Sequence, residues 1–253
     1  LEENHGMRRN WVWARLGMSP LANALDHLAA LAKRTRMPLG GESVDEMAKV
    51  YAEGGYLADD AVLRALACVK TTEDVTAVQT AIKCTYLPWL DDTARNFQKC
   101  EAVKSLPPAE EREGIKVSAG ECILFADGLR FDIGQRLAAM AGERNMEVSA
   151  AWGWASLPTV TATAKPATSP VAGTLRGGHM KEDFSPELKE TGSQLTTERF
   201  RGLLSDAGFQ MLGHAEMGEP LAQDARGWTE HGEFDKLGHD LQAKMATLIE
   251  DQL

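Results

Sequence analysis

The sequence predicts a mixed α/β protein in which an α-helical region precedes a parallel sheet sandwiched by helices. The first hundred residues carry apolar side chains at helical spacing, and residues 105–114 are polar and contain two prolines. Beyond them, short apolar runs typical of strands alternate with helical segments, a pattern typical of parallel sheets. We therefore expect a helical region over residues 1–112 and an α/β region over residues 113–253.

Five helices are expected in the first region. Ser19-Pro20 combines an N-cap with proline at the first helical position, and Pro38 with two glycines ends that helix. Ser43 and Glu46 have capping-box spacing and open the second helix. The other three are expected to begin near Asp59, at Thr72 as a cap, and at Pro88.

The second region is expected to open with a buried strand. Cys122–Ala126 is an unbroken apolar run, which is typical of a strand buried on both faces. The elements expected after it are a helix over 131–144, a strand over 146–154, a helix over 197–206 and a strand over 209–212.

Composition and charge narrow the class of protein. The net charge of −10 argues against general affinity for a nucleic-acid backbone, although a nucleic acid remains a candidate substrate. No apolar run approaches the roughly 20 residues that cross a bilayer, so no membrane partner is expected. The cysteines (Cys68, Cys84, Cys100, Cys122) form no C-x-x-C pair, which suits reduced thiols in the cytoplasm. Because the sequence begins at Leu1 without methionine, we expect it to be incomplete at its front.

Asp127 and Gly128 directly follow the predicted strand. Ligand sites in open α/β sheets gather at the carboxyl ends of strands, where a carboxylate suits a metal ion. The alternative is that Asp127 only caps the following helix.

The segment Leu157–Pro166 alternates threonines with small residues. A threonine hydroxyl beside a metal-bound aspartate could serve as a nucleophile, since hydroxyls need such activation. The alternative is an ordinary β-strand, because threonine has good strand propensity.

Asp235 and His239 stand four residues apart. On a helix, side chains at this spacing share a face and can reach one cation. The alternative is an exposed, solvated helix face.

The order of these motifs resembles that of the alkaline phosphatase superfamily, closest to its nucleotide pyrophosphatase/phosphodiesterase branch. The longer stretches resemble the type B PglZ proteins of bacterial BREX phage-defence systems, and the resemblance covers nearly the whole chain. The segments that carry it are Gly120–Ala138, Trp154–Gly173 and Trp228–Asp240, supported by Arg8–Leu25 and Tyr86–Gln98.

The resemblance implies a partial alkaline-phosphatase-like sheet and a site with two divalent metal ions, commonly zinc. Asp127 resembles a ligand of the metal that binds the nucleophile, and Thr161 aligns with the nucleophile. Asp235 and His239 resemble ligands of the other metal.

Four further residues are candidates for phosphate contacts or for the nucleophile. Arg130 and Lys165 are candidates for contacts with phosphate oxygens, with a surface salt bridge as the alternative for either. Thr159 and Thr163 are the alternative nucleophiles.

The implied function is metal-dependent hydrolysis of a phosphoester, and specifically a phosphodiester, in phage defence. The expected partners are other BREX components such as a DNA methyltransferase. The alternative is a non-catalytic, PglZ-derived interaction subunit of the defence complex. Sulfatase or phosphomutase chemistry is a further option on this fold, although a threonine nucleophile speaks against a sulfatase.

The family pattern continues into an Asp-His-Gly motif and a further histidine beyond Leu253, so we expect an incomplete metal site and little activity in this fragment.

Overall fold

The protein is described by a computed structural model that covers residues 1–100, 114–177, 185–213, 216 and 225–240. It is a mixed α/β structure that divides into two compact units. The first unit comprises Leu1–Ser105, Arg130–Trp152 and Leu237–Leu253, and the second comprises Leu106–Leu129 and Gly153–Lys236.

The described part of the first unit is helical. Its elements are α1 (Glu2–His5), α2 (Val12–Arg15), α3 (Pro20–Arg34), α4 (Val44–Val50), α5 (Tyr56–Ala67), α6 (Thr72–Lys99) and α7 (Phe131–Glu143), with a 3₁₀ turn at Gly6–Asn10 and a π-helical turn at Tyr51–Gly55. The predicted start of α3 at Pro20 is confirmed. The side chain of Ser43 accepts a hydrogen bond from the Glu46 amide, so the predicted cap of α4 is also confirmed. Helix α6 is capped by Thr71 instead of the predicted Thr72, because the Thr71 hydroxyl accepts from the amide of Asp74.

Two predicted helix starts in this unit are wrong. Helix α5 begins at Tyr56 and not near Asp59, because the π-helical turn leads directly into it. Helix α6 continues through Pro88 instead of restarting there. Trp89 explains the continuity, because it is only 4% exposed and its indole donates a hydrogen bond to the Met37 carbonyl at 3.0 Å. Packing around Trp89 therefore outweighs the helix-breaking tendency of proline.

Helix α7 belongs to the helical unit, whereas the predicted boundary at 112/113 places it with the sheet. Its Arg136 forms an ion pair with Asp60 of α5 at 2.6 Å, and Phe131 packs against the ring of Tyr56. Both contacts tie α7 to α5, which explains why the units are not continuous in sequence. The polar, proline-containing segment at residues 105–114, which the sequence predicts as the link between the two regions, lies outside the described residues except for Gly114.

The second unit is built on a three-stranded parallel sheet. Its strands are β1 (Cys122–Ala126), β4 (Phe209–Met211) and β5 (Arg226–His231), in the order β1-β5-β4. A short antiparallel pair, β2 (Leu175–Arg176) and β3 (Glu187–Leu188), and the helices α8 (Thr161–Ala167) and α9 (Thr197–Asp206) belong to the same unit. Helix α10 (Glu233–Asp240) begins in it.

Two strand predictions need correction. Strand β1 is not buried on both faces, because it lies at one edge of the described sheet and Leu124 is 60% exposed. Its Ile123 and Phe125 instead pack on one face, against the core that contains Trp228. Residues 146–154 form no strand, and Met146 and Trp152 are exposed.

The core of the second unit surrounds the fully buried Trp228 of β5. The ring of Phe200 meets Trp228 edge-on at 5.7 Å, and the fully buried Leu204 belongs to the same cluster. These contacts attach α9 to the sheet. Among the described residues, no helix combines the length and apolarity needed to cross a membrane.

Candidate active site

Asp127 lies at the carboxyl end of β1, where the strand pairing fixes its backbone. Ala126 is in register with His231, the last residue of β5, and the Asp127 amide donates to the His231 carbonyl at 2.8 Å. The ladder therefore extends one residue beyond β1 and holds Asp127 at the edge where parallel α/β sheets place their ligands.

Thr161 is the first residue of α8 and contacts Asp127 across 34 residues of sequence. Its hydroxyl lies 3.2 Å from Oδ1 and 3.1 Å from Oδ2 of the carboxylate. These distances exceed the usual value of about 2.7–2.8 Å for O–H···O bonds, so the hydroxyl is shared between both oxygens. The strand alternative for this segment is wrong at Thr161, which begins a helix.

Gly128 brings the third motif to the same place. Its φ is +71°, and a Cβ atom there would lie 2.6 Å from the amide nitrogen and 2.7 Å from the Cα of Asp235. Only glycine fits such a close approach of two backbones. The Asp127-Gly128 turn and the first turn of α10 are therefore in direct contact.

The fourth predicted ligand, His239, lies one helical turn beyond Asp235 on α10. Its side chain is exposed, and it falls in the part of the chain that groups with the first unit. The residues that the structure brings together within the second unit are thus Asp127, Thr161 and the backbone of Asp235.

Both predicted phosphate-binding cations have carboxylate partners. Lys165 lies 2.8 Å from Oε2 of Glu230, and Arg130 lies 3.0 Å from the buried Asp132. Burial alone would lower the pKa of the Arg130 guanidinium, but Asp132 outweighs burial and raises it. The salt-bridge alternative therefore describes the contacts that these two residues make.

Glu230 is a residue at this edge of the sheet for which the sequence predicted no role. Burial alone would raise the pKa of its carboxyl, but hydrogen bonds from Lys165 and the Trp228 indole outweigh burial and lower it. Glu230 is therefore ionised at neutral pH. The sequence signal for Glu230 is its position in the Trp228–Asp240 motif, but the residues of β5 carry no apolar run that predicts a strand.

The alternative nucleophiles differ in accessibility. Thr163 is buried, which disfavours attack on a substrate, whereas Thr159 is exposed. Thr161 is exposed and bonded to Asp127, so it combines access with a carboxylate partner.

The donor set near Thr161 falls short of a complete metal site. Within residues 1–100, 114–177, 185–213, 216 and 225–240, no three His, Cys, Asp or Glu side chains stand close enough to hold a metal ion. Zinc sites use three or four protein ligands, so the described residues alone do not fit a bound zinc ion.

Neither the models of protein families, nor the curated proteins, nor the solved structures contain a match to this chain.

Proposed function

We propose that this chain supplies the nucleophile of a phosphoester hydrolase with an alkaline-phosphatase-like fold, and that its substrate is a phosphodiester. The observation that carries the proposal is the contact between the Thr161 hydroxyl and both carboxylate oxygens of Asp127 at the carboxyl end of β1. A hydroxyl beside a carboxylate at this edge of a parallel sheet is suited to attack on phosphorus.

In this proposal Asp127 orients the Thr161 hydroxyl and accepts its proton while Oγ1 forms a bond to phosphorus. The bond between phosphorus and the ester oxygen breaks, and that oxygen takes up the proton and departs as the alcohol. Water then breaks the Thr161 ester and restores the hydroxyl. The resemblance adds two divalent metal ions, for which ligands beyond the described residues are needed. A bound cation would lower the pKa of the attacking group and offset charge on the phosphoryl oxygens.

The proposed setting is cytoplasmic phage defence alongside other BREX components such as a DNA methyltransferase. This part of the proposal rests on the resemblance of the three long motifs, Gly120–Ala138, Trp154–Gly173 and Trp228–Asp240.

The test is turnover of bis(p-nitrophenyl) phosphate with added zinc or manganese, by this chain and by the product of the complete reading frame. We expect Thr161→Ala to lower the rate by on the order of a hundredfold or more, as removal of a nucleophile does, while Thr161→Ser retains activity. Thr168→Ala is the matched control, because Thr168 is an exposed threonine of the same helical segment whose hydroxyl bonds only to α8 carbonyls among its described contacts. Equal rates for Thr161→Ala and the unaltered protein would refute the role of Thr161, and Thr159 would be tested next.

A non-catalytic interaction subunit is the second candidate function. The ion pairs of Lys165 with Glu230 and of Arg130 with Asp132 favour it, because they engage both candidate phosphate-binding cations. It is supported if the complete protein has no Thr161-dependent turnover but still associates with the methyltransferase in a purified mixture.

A further inference from the structure

The first elements of the helical unit expose many large apolar side chains. Trp11 is 50% exposed and Trp13 is 57% exposed, at the start of the short helix α2. Residues 7–21 expose seven such side chains in all (Met7, Trp11, Val12, Trp13, Leu16, Met18, Leu21), which together we call the Trp11–Trp13 surface. Exposed apolar side chains are normally scattered singly over a soluble protein, and a concentration of them marks an interaction site.

The backbone beneath this surface is anchored to α3. Ala14 of α2 is buried, and its carbonyl accepts a hydrogen bond from the Asn23 side chain at 3.3 Å. Arg9 forms an ion pair with Asp26, which links the preceding 3₁₀ turn to the same helix. The exposed side chains therefore stand on an ordered backbone, which reduces the conformational entropy lost when a partner binds.

The surface carries positive charge although the chain as a whole is acidic. Residues 5–21 contain three arginines and no Asp or Glu, whereas the whole chain has a net charge of −10. Arg9 is engaged in its ion pair, but the guanidinium of Arg8 lies over the Trp11 ring, 5.3 Å from the ring centroid. Among the side chains that the structure describes, neither Arg8 nor the exposed Arg15 has a carboxylate partner. The surface is therefore complementary to a partner with acidic groups.

A pocket that is open to solvent lies next to Trp11 within the helical unit. Arg8 and Trp11 line it together with apolar residues of α3 and α6 (Leu21, Leu25, Leu28, Ala77, Val78, Ala81). Asp74 also lines it, so the wall is not uniformly basic. At protein interfaces a few aromatic and arginine side chains around such a pocket account for most of the binding energy, and an apolar side chain of the partner fills the pocket.

The composition of the surface favours a protein segment over a nucleic acid. Single-stranded nucleic acids stack on tryptophan and pair with arginine, but they would leave aliphatic side chains such as Val12, Leu16 and Met18 in water. Trp, Met and Arg are residue types enriched at protein–protein interfaces. A second copy of the same surface fits poorly, because a twofold interface brings the arginines of one chain near those of the other. An amphipathic helix with acidic flanks satisfies both the apolar and the basic groups.

We propose that the Trp11–Trp13 surface binds an acidic amphipathic helix of a partner protein. An apolar side chain of that helix enters the pocket beside Trp11, and carboxylates of the helix lie near Arg8 and Arg15. This interaction does not depend on the chemistry proposed for Thr161, so the two proposals hold or fail separately.

The test uses two fluorescein-labelled peptides of about 18 residues, or about five helical turns. Both carry leucine on one helical face, and the other face carries glutamate in one peptide and lysine in the other. Fluorescence anisotropy measures the binding of each peptide to this chain and to the product of the complete reading frame. We expect the glutamate peptide to bind at least about tenfold more tightly. Because the chain is acidic overall, nonspecific attraction favours the lysine peptide, so a preference for glutamate reports the local basic surface.

Two pairs of substitutions locate the binding. Arg15→Glu should remove the preference for glutamate, whereas Arg144→Glu, the same charge change at an exposed arginine of the same unit, should retain it. Trp11→Ala should weaken binding of the glutamate peptide by at least about tenfold. Trp152→Ala, at another exposed tryptophan of this unit, should leave binding unchanged. Circular dichroism of each variant identifies any loss of folding, and Trp13→Ala replaces Trp11→Ala if the latter does not fold.

Each alternative occupant gives a distinct result that would overturn the proposal. Equal affinity for the two peptides, detectable binding of neither, or a preference that persists in both Arg15→Glu and Trp11→Ala would exclude the acidic helix. Binding of oligo(dT) in place of the glutamate peptide would assign the surface to single-stranded nucleic acid. Self-association that is lost in Trp11→Ala would assign it to a second copy of the chain. Binding by this chain but not by the complete product would show that another part of the protein covers the surface.

Discussion

Substituting Gly128 by alanine should separate the Asp127 turn from the start of α10. A Cβ atom at this position would meet the Asp235 amide nitrogen at 2.6 Å and its Cα at 2.7 Å, and these are backbone atoms that cannot rotate away. The residue also has a φ of +71°, which alanine adopts only with strain. Alanine at this position is therefore destabilised in two independent ways, by steric overlap with the Asp235 backbone and by its backbone conformation.

The magnitude follows from adding these two costs. A left-handed conformation costs a residue with a Cβ about 1–2 kcal/mol, and forcing a methyl group into occupied space costs about 1–3 kcal/mol. Gly128→Ala should therefore destabilise the turn by about 2–5 kcal/mol. Gly120→Ala is the matched control, because Gly120 has a φ of +81° but a Cβ added there would meet no described atom within 4 Å beyond its chain neighbours. Gly120→Ala should cost only the free energy of the left-handed backbone conformation, about 1–2 kcal/mol.

The assay is hydrogen exchange of the Asp127 amide, which is bonded to the His231 carbonyl. Each 1.4 kcal/mol corresponds to about a tenfold change in the opening equilibrium. Gly128→Ala should therefore accelerate exchange of the Asp127 amide by a factor between about 30 and several thousand. Gly120→Ala should speed it about 5-fold to 30-fold. Equal effects of the two substitutions would show that Asp235 does not lie against Gly128, and the convergence of the two motifs would then be wrong.

Three further predictions concern packing, pH and domain organisation. Leu204→Ala should cost about 2–5 kcal/mol in urea unfolding because Leu204 is fully buried, whereas Leu157→Ala, at an exposed leucine, should change stability by less than about 0.5 kcal/mol. Because the folded pKa of Glu230 is lowered, its pairing with Lys165 stabilises the protein above the ordinary value of 4.5 and is lost as the pH falls through the folded pKa. Lys165→Met should therefore weaken the acid dependence of unfolding between neutral pH and about pH 3, and an unchanged dependence would exclude this pair as its source. Limited proteolysis should cut within residues 105–114 before helix α7, and earlier cleavage of α7 would place the boundary elsewhere.

The start of α4 could be predicted from the sequence because a local hydrogen bond sets it. The cap at Ser43 depends on side-chain and amide groups three residues apart, so its spacing is visible in the chain. Pro88 shows the limit of local reasoning, because the buried Trp89 keeps α6 continuous through contacts with residues distant in sequence.

For the strands, contacts between residues that are distant in sequence matter even more than they do for the helices. β1 is recognisable from its apolar run, but its exposure at Leu124 depends on its place at the edge of the described sheet. The central strand β5 contains Gly227 and Glu230 and was not predicted. It is a strand because β1 and β4 pair with it on either side, and such pairing joins residues that are far apart in the chain.

For the candidate site, the sequence by itself determined the chemical groups and the position of Asp127 immediately after a strand. Only the tertiary structure decided that Thr161 reaches Asp127 across 34 residues, that Gly128 touches the backbone of Asp235, and that Lys165 is paired with Glu230. The physical reason is that local propensities act over a few residues, whereas these contacts join β1, β5 and the first turns of α8 and α10, which are far apart in the chain.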